Sequence, residues 1–197
     1  MDHNILDDEF NQQEEQSQVE EREPRYAGFS IRLAAALIDG LLIMLPLNLL
    51  LYWNFVDLKI LPLAIVLTLC TIIYKPLYEY GYGATIGKKL VSLKVVSTRF
   101  EPLTFNQAIL RAAPWIIVGM FSLYTTILLF FEESFVEADT LEELALLMEQ
   151  HSGMGDQMAS WFIIISCMAV LFNVKKQALH DQLADTYVLE VPRPRIE

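Results

Sequence analysis

The sequence is short of the residues that carry most enzyme chemistry. Among 197 residues there are two cysteines and three histidines. Cys70 and Cys167 both lie inside apolar runs, where a thiol behaves as a small hydrophobe. A disulfide framework or a thiolate metal site is not expected. His3, His151 and His180 stand on three separate segments, so no histidine pair has metal-ligand spacing. The first residues lack the basic stretch and short apolar core of a secretory signal. The loop GYGATIGKK lacks the spacing of a phosphate-binding loop: five residues separate Gly81 from Gly87, and Lys89 follows Lys88. A dinucleotide fingerprint would need glycine where Ile86 stands. No nucleophile with a matching base is recognisable. The expectation is a protein that is not an enzyme, with no catalytic residues, no metal, no cofactor and no nucleic-acid partner.

Positive charge is missing from two stretches. Residues 1–24 hold nine acids against Arg22 alone, and residues 132–156 hold eight acids with no lysine or arginine. These two appendages account for the net charge of −11, and the rest of the chain is mildly basic. What the chain does have is apolar length. It is 54% hydrophobic, with mean hydropathy +0.35, while still carrying 20% charged residues. That combination is unusual for a water-soluble domain.

The apolar residues fall into four runs, read as membrane spans at 33–53, 58–80, 114–131 and 158–174. The first has 21 residues, about 31 Å as a helix, against a hydrocarbon core of about 30 Å. Asn54 to Asp57 is read as a tight hairpin between the first two spans. Lysine and arginine precede span one, fill the loop between spans two and three, and follow span four, while the other side has only Lys59. This asymmetry places both termini and the central loop in the cytoplasm, with the chain multi-pass in the cell (inner) membrane. Trp53, Trp115 and Trp161 lie near span ends as interfacial anchors.

The segments outside the spans have their own signatures. The acidic tail 1–24 is too polar to order itself, and 192–197 is a second tail. Thr104 to Gln107 has the form of a capping box, opening a helix expected to lie at the interface until Pro114 begins span three. Residues 138–150 form an outer acidic amphipathic helix with Leu141, Leu144, Leu147 and Met148 on one face. Short strands are expected at 90–97 and 186–191, pairing Leu93–Val96 with Tyr187–Val191.

The sharpest signal is a charge inside an apolar run. Arg32 opens span one and Asp39 lies seven residues on, nearly two turns away on the same face, about 10 Å along the axis. A carboxylate at membrane depth costs about 2.5–3.5 kcal/mol on insertion scales. Arg32 is its natural counter-ion, and Lys75 and Glu79, four apart on span two, are further partners. These residues, with Asp181, are the ligand- or ion-handling candidates. His180, Asp185, Gly87 and Lys88 are read as structural: His180 and Asp181 fix the C-terminal helix on the central loop, whose basic residues lie against lipid headgroups.

Several blocks together resemble the RDD family of bacterial multi-pass membrane proteins, named for one arginine and two aspartates. RLAAALIDG supplies Arg32 and Asp39, GATIGKKLVSLKVV follows the acid Glu79, FNQAILR runs into span three with Arg111, and QALHDQLADTYVL supplies Asp181. The resemblance covers residues 26–191. It implies, loosely, transport of ions or small solutes. The whole reading is an all-α, four-span membrane domain over 25–191 with a small cytoplasmic cap. Its function is ion or small-solute transport through a buried Arg–Asp centre. The alternative is a non-transporting scaffold or regulatory subunit. The partners are the lipid bilayer, with a second copy or another membrane protein left open.

Overall fold

The computed structural model describes residues 24–138, 140–151, 161 and 165–191, without the side chains at 141 and 151. The expected acidic tail (except Pro24), the tail 192–197 and residues 158–160 and 162–164 of the expected fourth span lie outside the described residues. Three helices are long and apolar enough to cross a membrane, so the described part of the bundle has three spans where four are expected. Of the fourth, residues 165–168 are helical and Ala169–Leu171 form a 3-10 turn.

Helix α1 is continuous over Phe29–Leu58. It contains two widened turns, at Gly40–Met44 and Asn54–Leu58. The first lies just before Pro46, which has no N–H to donate. The second converts the expected hairpin at 54–57 into helix. The reversal is left to Lys59 and Ile60: Lys59 adopts a left-handed backbone with φ 51° and its N–H reaches the Asn54 carbonyl at 2.6 Å. The fully buried Asn54 side chain clamps Ile60 through both its carbonyl (3.0 Å) and its N–H (3.1 Å).

Helix α2 (Leu61–Tyr82) ends at Gly83, whose φ of 68° suits glycine. Helix α3 (Ile86–Leu90) and strand β1 (Leu93–Ser97) follow. Helix α4 runs unbroken over Phe105–Phe130 from the capping box of Thr104 and Gln107. Pro114 therefore lies inside a helix instead of starting one. A membrane-length helix tolerates this because neighbouring groups and local adjustment compensate the lost bond. The short helices α5 (Glu133–Glu137), α6 (Leu141–His151) and α7 (Leu179–Leu183) and strand β2 (Thr186–Glu190) complete the described elements.

Little of the apolar surface turns inward. In the most apolar stretch of α1, α2 and α4, 6%, 17% and 22% of residues are buried. Leu37, Leu41, Leu45 and Leu49 on α1 all face outward. A water-soluble core would bury them, whereas hydrocarbon leaves them exposed at no cost.

A cap covers one end of the bundle. β1 and β2 pair antiparallel, Leu93 opposite Glu190 through Ser97 opposite Thr186, which is the pairing expected from sequence. Tyr26 adds a bridge at Leu189. Ala27, Ala35, Leu93, Val95, Leu103 and Val188 form the core beneath. At the other end Phe55, Ala64, Leu129, Phe135 and Leu144 form a second core. The apolar face of α6 thus folds back on its own bundle through Leu144, which is 4% exposed. Lys59 holds this end as well, donating to the Val136 and Ala138 carbonyls at 2.7 and 2.9 Å, where a cation suits the end of α5.

α2 and α4 meet at Gly119. A methyl group there would lie 2.3 Å from Cγ1 of Ile72. Gly119→Ala should lower the melting temperature in detergent by several degrees, the response to about 1–3 kcal/mol of overpacking. Adding Ile72→Ala should recover part of that loss. Independent, additive losses would show that the two helices do not meet there.

Candidate functional site

Between the cap and the three long helices lies a chain of charges alternating in sign. Lys88 of α3 pairs with Oε1 of Glu79 on α2. Oε2 of Glu79 accepts from Arg111 Nε on α4 at 3.0 Å. Arg111 Nη1 lies 2.7 Å from Oδ1 of Asp181 on α7, a charge contact without hydrogen-bond alignment, and donates to Thr186 Oγ1 at 2.8 Å. Oδ2 of Asp181 accepts from Arg32 Nη1 on α1 at 2.5 Å and from the Ala178 N–H at 3.1 Å. Arg32 also caps the Ala27 and Lys176 carbonyls, at 3.0 and 2.6 Å. Glu79 and Asp181 are fully buried and Arg111 is 1% exposed. Charges this deep persist only when paired and hydrogen-bonded. Burial would raise the Asp181 carboxyl, but Arg111 and Arg32 outweigh it and hold the group below the usual carboxylate range. Burial pulls the Lys88 ammonium down, against the favourable pull of Glu79.

Asp39 belongs to a separate latch. Its Oδ1 accepts from the Tyr74 hydroxyl and the Gly87 N–H, both at 2.7 Å, and its Oδ2 accepts from Thr85 Oγ1 at 2.5 Å. The Tyr74 hydroxyl in turn accepts the Ile86 N–H at 3.0 Å. Every donor is neutral, and three of the four residues lie in the Gly-rich turn or α3. Gly87 makes this approach feasible: a Cβ there would lie 2.1 Å from the Ala35 carbonyl oxygen. The Asp39 carboxylate therefore fastens the loop to α1.

A cavity of about 300 Å³ opens beside the ion chain. Lys75 and Trp115 line it, with the Lys75 Nζ 2.7 Å from the centre of the indole ring. The His180 ring meets the Trp115 ring edge-on at 4.7 Å. Burial holds His180 at about 3, far below its ordinary value, so the imidazole is neutral. Its Nδ1 is 2.8 Å from Ser166 Oγ, and its Nε2 is 3.4 Å from Asp181 Oδ1. The order serine, histidine, aspartate invites a hydrolytic reading. Ser166 is fully buried, however, and its hydroxyl also accepts the His180 N–H at 3.2 Å, while Asp181 is held by two arginines. The string clasps α7 to the helical segment 165–168.

A family model described as the RDD family matches residues 26–185, most of the chain. The chain belongs to the RDD family. With its apolar helices, it is a membrane protein of that family. Neither a curated protein nor a solved structure matches it. The RDD arginine and aspartates read from the sequence do not form one cluster. Arg32 and Asp181 pair across the fold, and Asp39 serves the latch. The expected Arg32–Asp39 pair does not form, because α7 brings a carboxylate to Arg32 while the Gly-rich turn supplies donors to Asp39.

Other expectations change similarly. Lys75 and Glu79 are expected as further partners of the Arg32 and Asp39 charges, but Glu79 is taken by Lys88 and Arg111, and Lys75 turns to Trp115. Lys88 is half-buried against Glu79 instead of facing headgroups. Trp115 lines the cavity, whereas Trp53 and Trp161 are exposed. His180 fixes α7 to the segment 165–168 and not to the central loop expected for it. Asp185 stands apart, in a left-handed turn whose carbonyl accepts the Thr98 N–H at 2.9 Å. Sequence reasoning did not place Arg111 in the centre, although an arginine just inside an apolar run was the signal for it. Tyr74, Thr85, Ser166 and Thr186 carried no local signal.

Two predictions follow from these contacts. Asp181→Asn leaves Arg32 and half of Arg111 without a counter-charge and should cost about 3–5 kcal/mol, read as a large fall in detergent melting temperature. His180 binds fewer protons folded than unfolded between about pH 3 and its unfolded value near 6.5. Its contribution is therefore complete above about pH 6.5 and declines as pH falls toward 3. Melting temperature should drop between pH 7 and 4, and His180→Asn should flatten that slope; an unchanged slope would mean His180 is not buried neutral.

Proposed function

We propose that this protein carries an ion or a small solute across the cell (inner) membrane and that the buried Arg–Asp centre is where the carried species is handled. The observation behind this reading is the five-charge chain from Lys88 to Arg32, lying between the cap and the membrane-length helices and bordering a cavity. Paired charge is costly to keep at such depth, and ionisable groups there mark ion and substrate pathways by default. The handling role is assigned to Arg32, Arg111 and Asp181, with Glu79 and Lys88 tuning Arg111. Asp39 keeps the loop closed over them. Lysine and arginine placement supports a cytoplasmic cap, cytoplasmic termini and an outward α5–α6 end. The reading is not enzymatic, and it asks for no cofactor. The scaffold alternative takes the outer acidic amphipathic helix as a surface for a protein partner, and the burial of Leu144 of that helix within the chain weighs against it.

Purified protein in sealed vesicles should give flux of protons, sodium or potassium, or of a small solute, above protein-free vesicles. Arg111→Lys keeps the charge but loses the fork that joins Glu79 to Asp181, and it should cut flux at least tenfold with insertion unchanged. Wild-type flux at background level, or an unaffected Arg111→Lys, would remove the reading.

A further inference from the structure

The cavity beside the ion chain has an uneven lining. Its charged residues are Arg32, Lys75, Lys88 and Arg111, and no acid among the described residues lines it. Glu79 and Asp181 stand behind the cations and offset two of the four charges. Asp39 is occupied by neutral donors. Lys75 in particular has no carboxylate within ion-pair distance among the described residues, and its ammonium rests on the Trp115 face. The chain of pairs also begins and ends on a cation, and the Nη2 group of Arg111 is not used in any of its contacts. An anion would relieve the excess of positive charge that these groups carry when protonated.

We infer that this cavity binds a phosphate-class oxyanion, held by Lys75 and Arg111 at its inner wall and by Arg32 at its rim. Arginine forks and lysine ammonium groups are the usual donors for such oxygens. Phe29, Leu33 and Met168 supply apolar wall beside the cations. The volume is at the small end of the roughly 300–1,000 Å³ range of ligand pockets, with room for a phosphate and the start of an attached chain. The phosphate could come from an anionic lipid headgroup or from free phosphate. The inference uses the same centre as the transport reading but concerns binding alone.

The test uses the full chain, delipidated in an uncharged detergent. The probes are short-chain phosphatidylglycerol, phosphatidylcholine of the same chain length, and inorganic phosphate. Binding is read as thermal stabilisation and as a change in tryptophan emission that Trp115→Phe removes. Saturable stabilisation by phosphatidylglycerol, at least tenfold tighter than by phosphatidylcholine or phosphate, supports the inference and assigns a headgroup. Equal binding of inorganic phosphate supports it and assigns the free ion. In either case Lys75→Met should melt higher than wild type without ligand and lose the ligand-induced rise. If that variant does not fold, Arg32→Gln at the rim carries the same comparison, with affinity at least fivefold weaker. The inference is overturned by no saturable response to any anion, or by a response unchanged in Lys75→Met or, where that variant does not fold, in Arg32→Gln. Anion binding without vesicle flux would retire the transport reading and keep this one, and flux without anion binding would do the reverse.

Discussion

One guanidinium holds the structure together. Arg111 contacts both Glu79 and Asp181, and through them Lys88 and Arg32, so that five elements meet on it. A buried arginine remains charged, because its proton is held too tightly to be lost. Every neighbour must therefore supply negative charge or acceptor oxygens in the right places. That requirement fixes α7 against α4, sets the height of α1 relative to the cap, and draws Lys88 inward to complete Glu79.

The latch at Asp39 solves a different problem. Leaving a carboxylate within an apolar helix is costly unless all its acceptor sites are used. Tyr74 of α2 supplies a phenol to it, and the turn after α2 supplies a threonine hydroxyl and a backbone N–H. The price in sequence is a glycine at 87, since any side chain there would strike the backbone of α1. A motif that looks like a phosphate-binding loop is in fact shaped by close approach of two backbones. The same turn positions Lys88, so the latch and the ion chain are mechanically one unit.

The sign of the cavity follows from where the acids sit. Had Glu79 or Asp181 faced the cavity, its wall would be neutral or cation-seeking. Neither lines it, and both are paired with cations that do, which leaves positive groups in the wall. Lys75 adds to this because Trp115 occupies the position where a counter-ion would otherwise stand. The apolar belt on the outside of α1, α2 and α4 is the complementary fact: the long helices turn most of their hydrophobic side chains outward, and buried polar contacts join the two apolar cores in specifying how the helices meet.

Apolar length, charge asymmetry and capping chemistry are local properties. For that reason three of the four apolar runs read from the sequence are long helices, and the capping box at Thr104, the two paired strands and the need of Arg32, Asp39, Glu79 and Asp181 for polar partners were legible in it. It misplaced boundaries where a wide turn or an internal proline let a helix continue, at 54–58 and at Pro114, because neighbouring groups make good the bonds a local reading counts as lost. It also paired Arg32 with Asp39, since a helical repeat predicts only what one helix can offer itself. Only the tertiary structure decided which acid meets which base. Asp181 lies 149 residues from Arg32, and the choice between it and Asp39 depends on which one has other donors within reach, a matter of packing that no spacing along the chain encodes.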